Sequence, residues 1–430
     1  MEIICLGGLL IFGILISLDV ALAMLVASFG LLLWDGTVPI HLVSEKALTQ
    51  VSLFPLLAIP GFIIAGELMN VVGMTQSLGN LAQHLVGRWR GGMGLATVVA
   101  CMFFGGMTGS GLAETVAIGS LMIPLLAAHG YPKSFSAAIV ASGGSLGPII
   151  PPSIPMVIYA SIAPTVSITA LFIAGIFPGL LIGLGFMAVV TWRVRRLDLV
   201  DVDSSDIKVP FWTPKVLVSA LPALAVPIII FFFIFSGKAT VTEASVLATF
   251  YVAGYGFIFG KLSSTDLLNA GKSTLISCGI FGFIIAAAGP FSFLMALFQA
   301  PGLIADFLLG AAGGSPQVLM LLVTAVLIGL GLLVEATSLV IILAPILAAT
   351  ATAGHINQLH MAVISIVALM LGLFTPPVGT NLFAVVGISG EKIEDISREL
   401  LPFLYVSAAI VLCLALFPEI TTFLPKVFAK

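Results

Sequence analysis

Charge is what this chain has least of. Lys, Arg, Asp and Glu make up 8% of its 430 residues, where a soluble domain carries about 25%. So few charged groups cannot cover a water-facing surface. Hydrophobic residues make up 60%, and mean hydropathy is +1.24, which excludes a soluble enzyme or binding module. With 16 basic against 19 acidic residues the net charge is −3, so no nucleic-acid partner is expected. Cysteine is scarce as well. Cys5, Cys101, Cys278 and Cys413 stand singly in apolar runs, without metal or redox spacing. The five histidines show no ligand spacing either. No Lys or Arg precedes Lys46, so the positive start of a cleavable signal peptide is missing and an N-terminus outside the cytoplasm is expected.

What is present in quantity is apolar sequence, with 45 glycines and 24 prolines. Both residues are tolerated in membrane helices, where neighbouring segments re-satisfy the freed backbone groups. A span needs about 20 apolar residues, which allows roughly ten to twelve membrane elements. The chain reads as an all-α polytopic membrane protein whose surroundings are the lipid bilayer. Two apolar segments, 92–128 and 301–353, are too long for one span and are interrupted by polar residues and glycines. If 92–128 crossed once, Arg88 and Arg90 would lie opposite Lys133. Entered and left from one side, as a re-entrant hairpin, it leaves all three inside. Continued along the chain, this places twelve of the sixteen basic residues inside, with Lys46, Lys238, Lys426 and Lys430 outside. The polar stretch 193–215, with Asp198, Asp201, Asp203 and Asp206, is expected at the cytoplasmic surface. Segments 74–90, 261–272 and 390–400 suit short interfacial helices.

Two stretches repeat. Gly105 to Tyr159 contains Glu114 ten residues before Pro124, and Gly130 lies 21 residues before Pro151; Gly329 to Phe383 contains Glu335 ten before Pro345, and Gly354 lies 22 before Pro376. Each carries a Pro-Pro pair, in "LGPIIPPSIPMVI" and "LGLFTPPVGTNLF". The expected organisation is a first inverted repeat over 1–191, a cytoplasmic linker over 192–215 and a second repeat over 216–430. Each repeat holds scaffold helices, a hairpin (92–128 or 301–353) and a Pro-Pro-broken helix (135–161 or 359–388). Such repeats mark secondary transporters, with sites at the broken segments.

"TGSGLAETVAIGSLMIP", "GPIIPPSIPMVIY", "TVTEAS" and "LGLFTPPVGTNLF" resemble the large membrane subunit (M subunit, DctM-like) of tripartite ATP-independent periplasmic (TRAP) transporters, over essentially the whole chain. The family pattern has Ser-Gly-Ser at the first hairpin tip with aspartate four residues on; here Thr108-Gly109-Ser110 and Glu114 stand there, and Glu335 replaces a common aspartate. The resemblance implies an elevator-type secondary transporter in the bacterial inner membrane, not an enzyme. It would carry an organic anion such as a C4-dicarboxylate or sialic acid with Na⁺, and use no organic cofactor. Its partners would be a small four-helix membrane subunit (DctQ-like) and a periplasmic solute-binding protein (DctP-like).

A helix break supplies the hard oxygens Na⁺ needs, because proline removes N–H donors and leaves carbonyls free. By the resemblance, one Na⁺ would meet Thr108, Ser110, Ser145 and Gly147, and a second Gly331, Thr375, Gly379 and Thr380. Ser153 and Asn381 are candidate substrate contacts. Glu114 and Glu335 join the substrate-side candidates, because a carboxylate at membrane depth costs at least ~2.5 kcal/mol and is held for a purpose; the structural alternative is that each caps the outgoing helix of its hairpin. Glu67 and Glu243 read as structural. A stand-alone Na⁺/dicarboxylate symporter is the other transport reading. An intramembrane enzyme would need paired aspartates, His-Glu-x-x-His or a Ser/His dyad, none of which occurs. "NAGKST" (269–274) lacks the first glycine of a phosphate loop.

Overall fold

The computed structural model describes residues 2–36, 38–197, 214–377 and 379–428, with the side chains of Thr108 and Pro214 excepted. Of the linker expected over 192–215, residues 198–213, with all four of its aspartates, therefore lie outside the described residues. Among the described residues every regular element is helical. The first half runs α1 (Glu2–Leu15), α2 (Val20–Asp35), α3 (Leu42–Val51), α4 (Ala58–Val71), α5 (Met74–Val86), α6 (Gly92–Thr108), α7 (Gly111–Ala128), α8 (Lys133–Gly143), α9 (Ile154–Ile162) and α10 (Ile168–Arg196). The second runs α11 (Pro214–Phe235), α12 (Val241–Ile258), α13 (Ser264–Leu297), α14 (Ala300–Ala311), α15 (Pro316–Gly331), α16 (Ala336–Ala353), α17 (Gln358–Met370), α18 (Thr380–Ser389), α19 (Ile393–Leu416) and α20 (Pro418–Phe428).

Segment 92–128 is a helical hairpin. Gly109 ends α6 with φ +61°, a conformation that favours glycine, and Ser110 caps α7. The base is closed where the Gly94 N–H donates to the Tyr131 hydroxyl at 3.4 Å. Segment 301–353 is divided differently from the single hairpin expected. Gly313 and Gly314 both take positive φ and Pro316 starts the next helix, so the chain turns by 114° between α14 and α15. The hairpin proper is α15–α16, closed at its base by Leu319 against Gly354. Two expected interfacial helices also differ. Residues 264–272 and 393–400 are the opening turns of the long helices α13 and α19. Pro402 follows the second without ending α19, and a Ser263–Asp266 capping box starts α13. "NAGKST" lies inside α13.

The repeat is visible in the helix boundaries. Gly111 and Ala336 start α7 and α16, Ala128 and Ala353 end them, Lys133 and Gln358 start α8 and α17, Ile168 and Ile393 start α10 and α19, and the cis pairs Pro151–Pro152 and Pro376–Pro377 lie between; every pair is 225 residues apart. On this interval Gly130 matches His355, and both take positive φ. The match of Glu114 with Glu335 through their prolines is off by four residues, because Pro124 and Pro345 occupy different turns of α7 and α16. Ser110 is the true counterpart of Glu335, and each is an N-cap.

The halves interlock by exchange. α7 of the first hairpin packs on α18 of the second broken helix, and α16 of the second hairpin packs on α9 of the first. A pseudo-two-fold relation produces such reciprocal contacts. At the centre, Phe186 of α10 meets Phe374 edge-on at 6.0 Å and Phe403 of α19 at 5.5 Å, and such pairs add about 0.5–1.5 kcal/mol beyond their burial. Large apolar side chains such as Ile4, Trp34, Phe250 and Leu275 stand exposed on the periphery, as a bilayer-facing surface requires. The Arg193 Nε donates to Glu399 at 2.8 Å in a forked ion pair that ties α10 to α19. Charge-assisted bonds contribute about 1.5–3 kcal/mol, so Arg193→Ala and Glu399→Ala are each expected to lower Tm. The exchanged pair Arg193→Glu/Glu399→Arg should recover part of that loss in a thermal melt, and a melt unchanged in both single variants would contradict the assignment.

Candidate functional site

Each hairpin tip is pressed against the break of its own half. At the first, a Cβ on Gly105 would lie 2.7 Å from the Gly147 Cα, and one on Gly109 would lie 2.8 Å from the Pro152 carbonyl oxygen. At the second, a Cβ on Gly331 would lie 3.1 Å from the Leu369 carbonyl oxygen, and one on Gly372 only 2.0 Å from that of Gly331. Gly147 and Gly372 are equivalent on the 225-residue interval. Backbone therefore meets backbone at both tips, which only glycine permits at this distance.

The breaks are held by hydroxyls. In the first, between α8 and α9, Ser145 Oγ donates to the Ser142 carbonyl at 2.6 Å. Ser153 Oγ donates to the Pro148 carbonyl and accepts from the Met156 N–H at 3.3 Å, which caps α9. In the second, Thr375 Oγ1 donates to the Leu371 carbonyl, and the Gly379 N–H donates to the Thr375 carbonyl at 3.0 Å. Each hydroxyl keeps lone pairs free after donating. Asn381 on α18 donates from Nδ2 to the Ala141 carbonyl of α8 at 3.2 Å and so ties the second break to the first half; its Oδ1 is buried without a partner.

Glu114 and Glu335 have parted roles. Glu335 caps α16, its carboxylate accepting from the Thr337 and Ser338 N–H groups at 2.9 and 2.8 Å and from the Ser338 hydroxyl at 3.0 Å. Glu114 caps nothing. Its side chain is fully buried, with neither oxygen in a hydrogen bond, and its polar neighbours are the Cys101 thiol and the Gly147 backbone. Oε2 points at Gly147, where a Cβ would come within 2.2 Å of it. Thr115 Oγ1 is another buried, unpartnered oxygen, facing Gly144. Oxygen atoms without donors, one a carboxylate, are a donor set suited to a hard cation.

A cavity of about 940 Å³ opens beside these elements, between the hairpin tips and a wall formed by α2, α4, α5 and α13. Of the sequence-derived candidates, Ser110, Glu335 and Thr380 line it. Ser145, Gly147, Ser153, Asn381, Glu114, Gly331, Thr375 and Gly379 stand behind its surface, in the packed breaks and tips; the Thr108 side chain lies outside the described residues. The structure also brings in Asp19, Glu67 and Asn70 from the opposite wall. Glu67 accepts from the Ser273 hydroxyl at 2.8 Å, so it is structural as expected, yet it also faces the cavity. An acid inside the apolar 52–73 segment was the signal for it. Asp19 caps α2 through the Ala21 N–H at 2.9 Å. Glu243 is confined to its capping box with Thr240.

Two hairpins closing on two broken helices beside a cavity define the helical architecture of a secondary transporter. Solved structures agree at the level of the fold: the YdaH transporter of Alcanivorax borkumensis has a TM-score of 0.64 at 17% identity, covering 86% of each chain, and MtrF of Neisseria gonorrhoeae has 0.63 at 15%, covering 89% of this chain and 84% of that one. The family follows from sequence. The model of the DctM component of tripartite ATP-independent periplasmic transporters matches residues 7–420, and the chain belongs to that family as a large permease. It is 35% identical to the isethionate TRAP transporter permease DctMQ of Oleidesulfovibrio alaskensis over 96% of this chain, and spans 64% of that protein's length. It is 31% identical to the sialic acid permease SiaM of Vibrio cholerae, over 98% and 97% of the two chains, and 32% to the C4-dicarboxylate permease DctM of Rhodobacter capsulatus, over 98% and 99%.

Proposed function

We propose that this permease takes up an organic anion in symport with Na⁺ across the bacterial inner membrane. A periplasmic solute-binding protein delivers the substrate, and a small four-helix membrane subunit braces the permease. The observation that carries this reading is the pair of hairpin tips seated on two Pro-Pro breaks, with unpartnered buried oxygens behind a cavity of about 940 Å³. The first break offers a cation the Glu114 carboxylate, the Gly147 region and Ser145. The second offers Thr375, Gly379 and Gly331. Ser110, Thr380 and Glu335 stand on the substrate side. Helix starts at α7, α9 and α18 aim positive backbone potential at the cavity, as carboxylate recognition without Lys or Arg requires. Re-entrant hairpins and an elevator movement of the hairpin–break unit against the α2–α4–α5–α13 wall supply alternating access.

The test is uptake into proteoliposomes holding the permease and its small subunit. Uptake should require both a Na⁺ gradient and the binding protein; equal uptake in choline, or equal uptake without the binding protein, would overturn the reading, and the latter would favour the stand-alone symporter. Thr375→Ala and Ser145→Ala should raise the half-saturating Na⁺ concentration about three- to tenfold, roughly 0.7–1.4 kcal/mol, with membrane expression unchanged. Unchanged Na⁺ dependence in both would dismiss these ligands.

A further inference from the structure

Asn381 is a buried amide that the cavity does not account for. It is fully buried in the first turn of α18, and unlike its neighbour Thr380 it does not line the cavity, so it meets no substrate there. Its Nδ2 donates to the Ala141 carbonyl at 3.2 Å, and its Oδ1 has no donor. A buried acceptor without a donor is costly. The fold does not require an amide at this place: on the 225-residue interval Asn381 matches Met156 of α9, which is equally buried. What the amide adds over methionine is the bond itself.

That bond joins the two breaks. Ala141 lies in the last turn of α8, whose final carbonyls lack intrahelical partners. The next carbonyl along, that of Ser142, holds Ser145 Oγ at 2.6 Å. At the other end, Asn381 stands two residues after Gly379, whose N–H donates to the Thr375 carbonyl at 3.0 Å. Ser145 belongs to the first proposed ion site, and Thr375 and Gly379 to the second. An ion at the first break orders the end of α8, and an ion at the second orders the start of α18. Each ion thus fixes one partner of the bond, and the bond gains most when both are fixed. Two sites that each lower the ordering cost of a shared contact bind cooperatively.

We infer that Asn381 is a positioning residue that couples the two ion sites, so that Na⁺ at one break favours Na⁺ at the other. The inference deepens the proposed function and rests on it, since it takes both breaks as Na⁺ sites. The test is the equilibrium binding isotherm of radiolabelled Na⁺ on the purified permease with its small subunit, at ionic strength held constant with choline chloride. A coupling of about fivefold or more gives two sites a Hill coefficient of about 1.4 or more, and the wild type should show it. Asn381→Met, which copies the other repeat, should lower the coefficient to about 1.1 or less. The amount of Na⁺ bound at saturation should stay the same, and Tm in choline should be unchanged or higher. A purely structural contact would move Tm and leave the coefficient alone. Asn381→Leu is the second variant should the first not fold. A wild-type coefficient of about 1, or a coefficient unchanged in the variants, overturns the inference and leaves the two ion sites standing. Loss of one bound ion at saturation makes Asn381 a ligand, which overturns the inference as well. No saturable Na⁺ binding by the wild type overturns the proposed Na⁺ symport, and the inference falls with it.

Discussion

Gly372→Ala is expected to abolish Na⁺-driven uptake, with a loss of more than tenfold. The added methyl would stand 2.0 Å from the Gly331 carbonyl oxygen and 2.4 Å from its carbon. Both partners are backbone, so no rotamer change relieves the clash, and one of two buried segments must move. Overpacking in a tight interior costs typically 1–3 kcal/mol, and here the displacement falls on the contact between the second hairpin tip and the second break. Lowered uptake with only a modest fall in Tm is the pattern to look for. Gly387→Ala is the matched control. It lies on α18, with nothing within 4 Å of its added carbon, and alanine is favoured over glycine in a helix by roughly 0.5–1 kcal/mol. Wild-type uptake by Gly372→Ala would mean that the tip and the break do not need to touch.

Glu114→Gln should separate ion binding from folding. A buried carboxylate with neither oxygen hydrogen-bonded is costly unless a cation joins it, and the penalty for an unpaired buried charge is several kcal/mol. Glutamine keeps the shape and removes the charge. In choline the variant should melt at or above the wild-type temperature. The stabilisation that Na⁺ confers on the wild type should shrink, with half-effect moved at least tenfold upward in Na⁺ concentration, about 1.4 kcal/mol. Tm measured across a Na⁺ titration gives this without any transport assay. An identical Na⁺ response in the two proteins would place the ion away from Glu114.

Much of the fold was legible because helix breakers are local. Pro151–Pro152, Pro376–Pro377 and the glycine-bearing tip at Gly109 announce the breaks and the first hairpin wherever they occur, and an apolar chain leaves little but helix for the remainder. The register of the repeat was less legible. Two glutamates ten residues ahead of two prolines make a convincing pair on paper, yet the helix starts set Ser110 against Glu335. Here serine and glutamate each cap a helix by offering an oxygen to free N–H groups, so the letters differ where the position is the same. The same letter then hides opposite circumstances: Glu335 is fully hydrogen-bonded at a helix start, and Glu114 is sealed behind a glycine contact. Burial decides between them, and burial depends on Gly147 and Gly105, which lie far along the chain or on another helix. Glu67 was read as structural for a related reason. Nothing in its own segment says that α7 and α13 will approach it.

The constant interval of 225 residues between matched boundaries, from the start of α7 to the start of α10 and from the start of α16 to the start of α19, makes these stretches a ruler. One residue added inside α8 or α17 would advance the following break by about 1.5 Å and swing it through about 100°, carrying it off its hairpin tip. Changes of length are therefore tolerable in the span that joins the two copies and not within either copy. A change of letter at these positions can leave each break on its tip; a change of count cannot.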